Sequence, residues 1–210
     1  MPKIPDATIK RLSLYCKELR VLSNEGMEVV LSKDLANRLD LNPTQVRKDL
    51  SYFGKFGRRK RGYDVSELLA NLSEILGITT DNKIGIFGLG NLGRALLNFK
   101  GFSVRGFYVA ALFDVDPAKI GSTLFGKQCY ALSDAQEIVK KEGIKIAVLA
   151  VPDGAAQDVM DVILGCGIKS ILNFTQRHVV VPEDVMIRSV DFTDKLELLA
   201  YFSRSKSNGR

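Results

Sequence analysis

The feature that most constrains this chain is a glycine fingerprint near its middle, Gly88-Leu89-Gly90-Asn91-Leu92-Gly93, directly after the apolar run 84–87. Such a fingerprint between a strand and a helix binds the pyrophosphate of a dinucleotide. The first glycine permits a tight turn, the second lets the pyrophosphate approach the backbone, and the third lets the helix pack on the strand. Free N–H groups at the helix start favour an anion. The sequence therefore predicts cofactor contacts from Gly88, Leu89, Gly90, Asn91, Leu92 and Gly93.

A carboxylate at the end of the next predicted strand supports this interpretation. Asp114 follows the apolar run 107–113, about 20 residues after the last glycine, as the fingerprint requires. A carboxylate there accepts hydrogen bonds from the ribose hydroxyls of NAD and repels the 2′-phosphate of NADP. We therefore expect NADH and NAD+ as the cofactors. The alternative is that Asp114 merely opens the turn 114–117.

Strands and helices alternate through the second part of the chain. We predict strands at 83–87, 107–113, 144–151, 170–174 and 185–190, and helices at 92–99, 133–142 and 155–164. Apolar, β-branched strands that alternate with helices are typical of an α/β fold, here a Rossmann-like, doubly wound parallel sheet. The polar segment 77–82 marks a boundary, so we expect domains at 1–80 and 81–193, followed by a C-terminal segment at 194–210.

The residues before this boundary have the pattern of a helix-turn-helix. We predict a helix from Pro43 to Phe53, the third in this part of the chain, with Asn42 as its N-cap and Gln45 completing a capping box. Its exposed face carries groups that hydrogen-bond bases and phosphates: Thr44, Gln45, Arg47, Lys48, Ser51 and Tyr52. A helix of this kind fits the major groove of double-stranded DNA.

A basic, glycine-rich segment follows this helix. The window 42–62 holds seven Lys and Arg residues against one Asp, so its net charge equals the +6 of the whole chain. We predict a β-hairpin wing between Gly54 and Tyr63, and with it a winged-helix domain, because a basic tip can lie along phosphates or in the minor groove. The predicted contacts are Lys55, Arg58, Arg59, Lys60 and Arg61. The alternative for an isolated run is a solvated charged loop.

Residues for catalysis or metal binding are scarce. The chain has one histidine, His178, and three widely spaced cysteines without a Cys-x-x-Cys pair, and it lacks a Tyr-x-x-x-Lys pair. Without an evident acid or base, hydride transfer lacks its usual partner, so we expect a protein that is not an enzyme and binds no metal. No apolar run reaches the length of a membrane span, and the N-terminus lacks a signal peptide, so we expect a cytoplasmic protein.

The C-terminal segment predicts a helix that is apolar on nearly all sides. From Asp194 to Ser203 the apolar residues cover most of its circumference. Such a helix needs packing partners on more than one side. It either inserts into a second subunit of a homodimer or closes its own domain, and the sequence does not decide between them.

Several motifs in sequence order resemble the Rex redox-sensing repressors of bacteria. They are Gln45–Gly54, the glycine fingerprint, Phe113–Pro117, Val151-Pro152, Ile171–Phe174 and Val190–Phe192. The resemblance covers nearly the whole chain. It implies a homodimer that exchanges its C-terminal helices, represses genes by binding pseudo-palindromic operator DNA when free or bound to NAD+, and releases the operator when bound to NADH. It also implies cofactor contacts at Val151, Pro152, Asn173, Asp191 and Phe192.

The chain departs from the family pattern at three places. Phe99 stands where many relatives have a tyrosine, and Thr175-Gln176 stands where Ala-Pro is usual. Lys17 stands where some relatives have an arginine that would pair with the aspartate matching Asp191, and a lysine lacks bidentate geometry. Two alternatives to the repressor remain open. One is an NAD-dependent oxidoreductase with a DNA-binding-like extension, and the other is a regulator that binds coenzyme A or another nucleotide.

Overall fold

The computed structural model describes residues 4–57, 61–79 and 82–207, and the chain divides into two compact units at residues 80–81. The predicted DNA contacts Arg58, Arg59 and Lys60 lie outside the described residues. Each unit has its own apolar core, because the buried side chains fall into clusters that lie wholly within one unit or the other.

The first unit combines four helices with a small two-stranded sheet. In chain order its elements are α1 (Asp6–Asn24), β1 (Val29–Val30), α2 (Ser32–Arg38), α3 (Pro43–Ser51), β2 (Tyr63–Asp64) and α4 (Val65–Ile75). The Asn42 side chain caps α3 by accepting a hydrogen bond from the Thr44 amide at 2.8 Å. The apolar faces of these helices meet in one core, which includes Leu12 and Leu19 of α1 and Val46 and Leu50 of α3.

The predicted wing lies between α3 and β2, and its tip, residues 58–60, lies outside the described residues, so the hairpin stays a prediction. Strand β2 pairs antiparallel with β1, which precedes α2. Residues 54–57 form a loop, and a Cβ at Gly57 would overlap the carbonyl oxygen of Gly62. The described residues on the two sides of positions 58–60 therefore approach each other. Helix α3 also ends at Ser51, earlier than the predicted Phe53.

The second unit is a three-layered α/β domain. Its elements are β3 (Asn82–Phe87), α5 (Asn91–Leu97), β4 (Phe107–Asp114), β5 (Thr123–Leu124), β6 (Lys127–Ala131), α6 (Ala135–Glu142), β7 (Ile146–Leu149), α7 (Ala156–Gly165), β8 (Ser170–Asn173), β9 (Met186–Ser189) and α8 (Thr193–Ser207). The strand order is β5-β6-β4-β3-β7-β8-β9, and every pair is parallel except β5 with β6. The predicted parallel sheet is confirmed, and strands β5 and β6 are additions that the sequence analysis missed.

The strand order creates a crevice beside β3. The chain runs from β3 to β4 and β6 on one side, then returns to place β7 on the other side of β3. In open α/β sheets, ligands bind outside the carboxyl ends of the strands at such a switch point. The glycine fingerprint follows β3, and Val151-Pro152 follows β7, so both lie at this point.

Helix α8 leaves its apolar side chains uncovered in the single chain. Leu196, Leu199, Tyr201 and Phe202 are each more than half exposed. This helix therefore does not close the core of its own domain, which was one of the two alternatives drawn from the sequence.

Candidate nucleotide and DNA sites

A cleft of about 310 Å³ opens at the switch point between β3 and β7. Its walls come from the glycine fingerprint, the end of β4 and the turn after β7. The floor is apolar, and Asp114, Asp116 and Lys119 supply charge at one edge. Polar groups are thus concentrated where β4 ends, as expected of a ligand pocket whose lining is mostly apolar and whose few polar groups orient the ligand.

The three glycines have distinct steric roles in this cleft. Gly88 has φ +99°, and a Cβ there would overlap the Ala150 carbonyl at the end of β7. A Cβ at Gly93 would overlap the carbonyl oxygen of Gly88, so helix α5 reaches its place only without a side chain there. Gly90 faces open space. The backbone therefore fits the pyrophosphate of a dinucleotide, because the helix start is exposed where the second glycine leaves room.

Asp114 is held by four donors. One carboxylate oxygen, Oδ1, accepts hydrogen bonds from the backbone amides of Val115 and Asp116, both at 2.9 Å. The other, Oδ2, accepts from the Leu89 amide at 2.7 Å and from Lys119 Nζ at 3.1 Å. Asp114 therefore opens the turn after β4 and also lines the cleft, and its contact with a ribose stays a prediction.

These contacts keep Asp114 ionised. Burial raises the pKa of this carboxyl, but the amides of Asp116 and Leu89 and the ammonium of Lys119 outweigh burial, so the net pKa lies below its ordinary value. A carboxylate charged at neutral pH is what a pair of ribose hydroxyls needs as an acceptor.

The predicted residues at the far end of the cofactor site do not form one surface. Val151 and Pro152 line the cleft. Asn173 is 1% exposed, and its side chain is bonded internally to Thr175 and Ser189. The Asn173 side chain therefore connects the ends of β8 and β9 by hydrogen bonds and does not face the cleft.

Asp191 and Phe192 lie at the base of α8. The exposed Phe192 ring is 6.3 Å from that of Phe174, centroid to centroid. Asp191 Oδ1 accepts hydrogen bonds from the Thr193 amide at 2.7 Å and from Gln176 Nε2 at 3.3 Å. The hydroxyl and amide of Thr193 together hold the pKa of Asp191 below its ordinary value.

Gln176, one of the departures from the family pattern, joins two loops. Its backbone amide donates to Asp153 Oδ1 at 2.9 Å, directly after Val151-Pro152, and its side chain reaches Asp191. A proline at this position could not donate the first of these hydrogen bonds. In this chain the loop after β7 is therefore tied through Gln176 to the base of α8.

The outer face of α3 forms the candidate DNA surface. Most of its predicted contacts are exposed: Thr44, Arg47, Lys48, Ser51 and Tyr52. The Arg47 guanidinium is oriented by hydrogen bonds to the hydroxyls of Ser32 and Thr44, both at 3.0 Å. Lys55 and Arg61, which stand between α3 and β2 in the sequence, are also exposed.

Gln45 does not belong to that outer face as predicted. Its side-chain amide turns inward and donates to Asp49 Oδ1 at 2.8 Å, so Gln45 neither completes a capping box nor offers this amide to a ligand. The reason is Asp49 itself, a fully buried carboxylate that needs hydrogen-bond donors.

Asp49 is the centre of a buried polar cluster that the sequence analysis missed. Arg11 donates to both of its carboxylate oxygens, Tyr15 Oη donates at 2.7 Å and Thr8 Oγ1 at 3.2 Å. These three donors lie on α1, so the cluster fastens α3 to α1 from its inner side. The signal in the sequence was faint, because Arg11, Tyr15 and Thr8 stand more than thirty residues before Asp49.

The cluster also fixes charge states. Burial raises the pKa of Asp49, but hydrogen bonds from Arg11, Tyr15 and Gln45 outweigh it and bring the pKa to about 2. Burial and the bond to Asp49 raise the pKa of Tyr15 above its ordinary value. The ion pair therefore stays intact across the physiological pH range.

The remaining candidate groups show no catalytic or metal-binding arrangement. His178 is exposed and lies outside the lining of the cleft. Within the described residues, no group of three His, Cys, Asp or Glu side chains could hold a metal ion, and no helix is long and apolar enough to span a membrane. Cys16 and Cys129 are buried and Cys166 is partly buried, and burial raises the pKa of all three thiols.

Comparison with known families gives a separate match for each of the two units. Residues 79–177 match a family model described as "CoA binding domain", and residues 3–51 match one described as "Putative DNA-binding protein N-terminus". The first covers the glycine fingerprint and Asp114, and the second covers α1 to α3.

Full-length relatives extend this match to the whole chain. The redox-sensing transcriptional repressor Rex of Syntrophomonas wolfei is 46% identical over 200 residues, which cover 95% of each chain. The structure of RSP in complex with β-NAD+ and operator DNA matches with a TM-score of 0.90 and 30% identity over 100% of both chains. RSP in complex with β-NADH matches with a TM-score of 0.88 and 29% identity over 99% of this chain and 97% of that one. The chain therefore belongs to the Rex family of redox-sensing transcriptional repressors.

Proposed function

We propose that this chain is a homodimeric repressor that binds operator DNA through α3 and the basic loop after it, and that releases the operator on binding NADH. The observation that carries the proposal is the cleft at the switch point, with its sterically required glycines and its ionised Asp114. The match to RSP, crystallised with operator DNA and with both NAD+ and NADH, supports it.

The proposed DNA contacts separate into two kinds. Arg47, Lys48 and their exposed neighbours on α3 would reach base edges in the major groove. Lys55 and Arg58 to Arg61 would neutralise phosphates, which gives affinity without sequence information. Two copies of α3 in a dimer read half-sites about one helical turn apart, roughly 34 Å. A ligand that binds more tightly to a dimer in which the two copies of α3 are a different distance apart therefore releases the DNA.

The proposed cofactor contacts follow the cleft. The backbone around Gly90 would hold the pyrophosphate, and Asp114 would accept from the adenosine ribose. Val151, Pro152 and Phe192 offer apolar surface at the other end. NADH and NAD+ differ in the charge of the nicotinamide ring, and an apolar environment disfavours the cation because its desolvation is costly. These residues would thereby favour the reduced form.

Helix α8 supplies the proposed dimer contact. Its apolar side chains are exposed in the single chain, and a second copy of this chain would cover them. A protein in this role works by binding and not by turnover, and it works where the bacterial DNA is, so we place it in the cytoplasm. Removing residues from Asp194 onward would then weaken the dimer and abolish the response to NADH.

The test is a linked titration. A DNA duplex selected by the protein from a random library is titrated with and without saturating NADH, and NADH is titrated with and without that duplex. Coupling is reciprocal, so each ligand should weaken the other by one common factor, of the order of 5- to 150-fold. Equal NADH affinities in the two titrations would overturn the proposal, as would consumption of NADH.

A further inference from the structure

Lys119 lies at the cofactor cleft beside Asp114. Its ammonium is 3.1 Å from Asp114 Oδ2 and 3.5 Å from Asp116 Oδ2, and its side chain is 25% exposed. All three residues line the cleft. The edge that would receive the adenosine ribose therefore contains a cation as well as the carboxylate that the glycine fingerprint predicts.

The hydrogen bonds of Asp114 leave little room for a further donor. A carboxylate has about four acceptor positions, and Asp114 already accepts from three backbone amides and from Lys119. The amides belong to the turns after β3 and β4 and cannot leave without disrupting those turns. Lys119 is the one side chain among these four donors, and its flexible stem lets it move away. A ribose hydroxyl would therefore bind Asp114 by displacing Lys119.

A displaced Lys119 stays close to the site. Asp116 still attracts its ammonium, and the side chain is long and mobile. An ammonium is a good partner for a phosphate group. The same edge therefore holds a carboxylate that repels a 2′-phosphate and a cation that attracts one, and the balance between them sets which dinucleotide binds.

We propose that Lys119 is a second cofactor-specificity residue, which competes with the ribose of NADH for Asp114 and pairs with the 2′-phosphate of NADPH. This inference rests on the proposed binding of NADH at the cleft. Asp114 makes the chain bind NADH more tightly than NADPH, and Lys119 reduces this difference in affinity. The ratio of NADPH to NADH dissociation constants should rise when the cation of Lys119 is removed. It should fall when the carboxylate of Asp114 is neutralised.

The experiment measures dissociation constants of NADH and NADPH by calorimetry for the full chain. The variants are Lys119→Met, Lys119→Arg and Asp114→Asn, together with the double variant Asp114→Asn/Lys119→Met. Lys140→Met is the matched control, because Lys140 is exposed on α6 and its replacement removes one positive charge away from the cleft lining. Circular dichroism confirms that each variant is folded.

The expected result is a Lys119→Met variant whose NADPH affinity falls about tenfold, the size of one charged hydrogen bond, while its NADH affinity is kept or improved. Lys119→Arg should keep the NADPH affinity of the wild type, and Lys140→Met should keep both affinities. Asp114→Asn should bind NADPH more tightly than the wild type does, and the double variant should lose that gain.

The outcomes separate this inference from the proposed function. A wild type that binds neither dinucleotide overturns both of them. A wild type that binds NADH, with a ratio of NADPH to NADH dissociation constants that changes less than twofold in Lys119→Met, overturns the role of Lys119 alone. The role of Lys119 is also overturned if the double variant Asp114→Asn/Lys119→Met binds NADPH as tightly as Asp114→Asn does.

Discussion

Asp49 in the first unit and Asp114 in the second are both buried carboxylates with a cationic partner, yet their surroundings differ. Asp49 is fully enclosed, and its donors are side chains from α1 and from its own helix. Asp114 is 8% exposed, lines a cleft and is held mainly by backbone amides. The difference shows that burial and a shifted pKa alone do not identify a binding residue. A carboxylate closed off by side chains positions an element, and one that borders a cavity can receive a ligand.

The largest effect should come from breaking the closed cluster. Replacement of Asp49 by Ala leaves Arg11 and Tyr15 without their acceptor, and removal of one partner of a buried ion pair costs about 3–5 kcal/mol. Calorimetric unfolding should show a corresponding loss in the first unit. Asp34→Ala, which changes an exposed acid on α2, serves as the control. A loss at position 49 no larger than that of the control would contradict the positioning role.

Acid should act on the same cluster. The pKa of Asp49 is about 2 in the folded chain, against an ordinary value of 3.8. Because the pKa of Asp49 is lower in the folded chain, its ionised form stabilises the fold at pH values above the ordinary pKa. This contribution of about 2 kcal/mol to the free energy of unfolding is lost as the pH falls from about 4 to about 2. Urea unfolding at a series of pH values checks it. An Asp49→Asn variant should lack this step, and an unchanged acid dependence in that variant would exclude Asp49 as its source.

Arg47 separates contact with DNA from the positioning of α3. Its exposed guanidinium is held by Ser32 and Thr44 and takes no part in the Asp49 cluster. Arg47→Ala should lower operator affinity by roughly 1–3 kcal/mol and should change the free energy of unfolding by no more than about 0.5 kcal/mol. Gel-shift titration and calorimetry measure the two quantities. Lys141→Ala, on α6, is the control for lost charge, and equal operator affinities for the two variants would remove Arg47 from the interface.

The smallest effect should arise at Asp191, a partly exposed carboxylate at the base of α8. Gln176→Ala removes one weak hydrogen bond to Asp191 but keeps the backbone bond to Asp153. Amide hydrogen exchange at the start of α8 should rise about twofold, without a change in the melting temperature. An Arg177→Ala variant provides the neighbouring exposed control. Exchange rates equal to the wild type in Gln176→Ala would show that the tie between the two loops has no effect on α8.

Local features of the chain could be predicted from the sequence. The glycine fingerprint, the cap at Asn42 and the parallel strands depend on short patterns, and the structure shows each of them. The antiparallel pair β5 and β6 was missed because it is short and turns at Phe125, a non-glycine residue with φ +48°. A turn with a positive φ at a residue other than glycine cannot be predicted from the local sequence pattern.

Features that depend on distant pairing could not be predicted. Strand β2 pairs with β1 across more than thirty intervening residues, and the local pattern of glycines and basic residues gave no indication of this pairing. The burial of Asp49 depends on Arg11 and Tyr15 in the same way. At the cleft, Asp114 could be placed by its spacing, whereas the pairing of Lys119 with Asp114 became visible only from the turn geometry.

The buried cysteines limit what kind of redox signal this protein can register. Peroxide attacks thiolates, and reactivity requires an accessible sulfur with a lowered pKa. All three thiols here have a raised pKa, and Cys16 and Cys129 are shielded from solvent. Peroxide is therefore disfavoured as a signal at Cys16 and Cys129, and the cofactor cleft is the place where the proposed redox signal, the ratio of NADH to NAD+, would act.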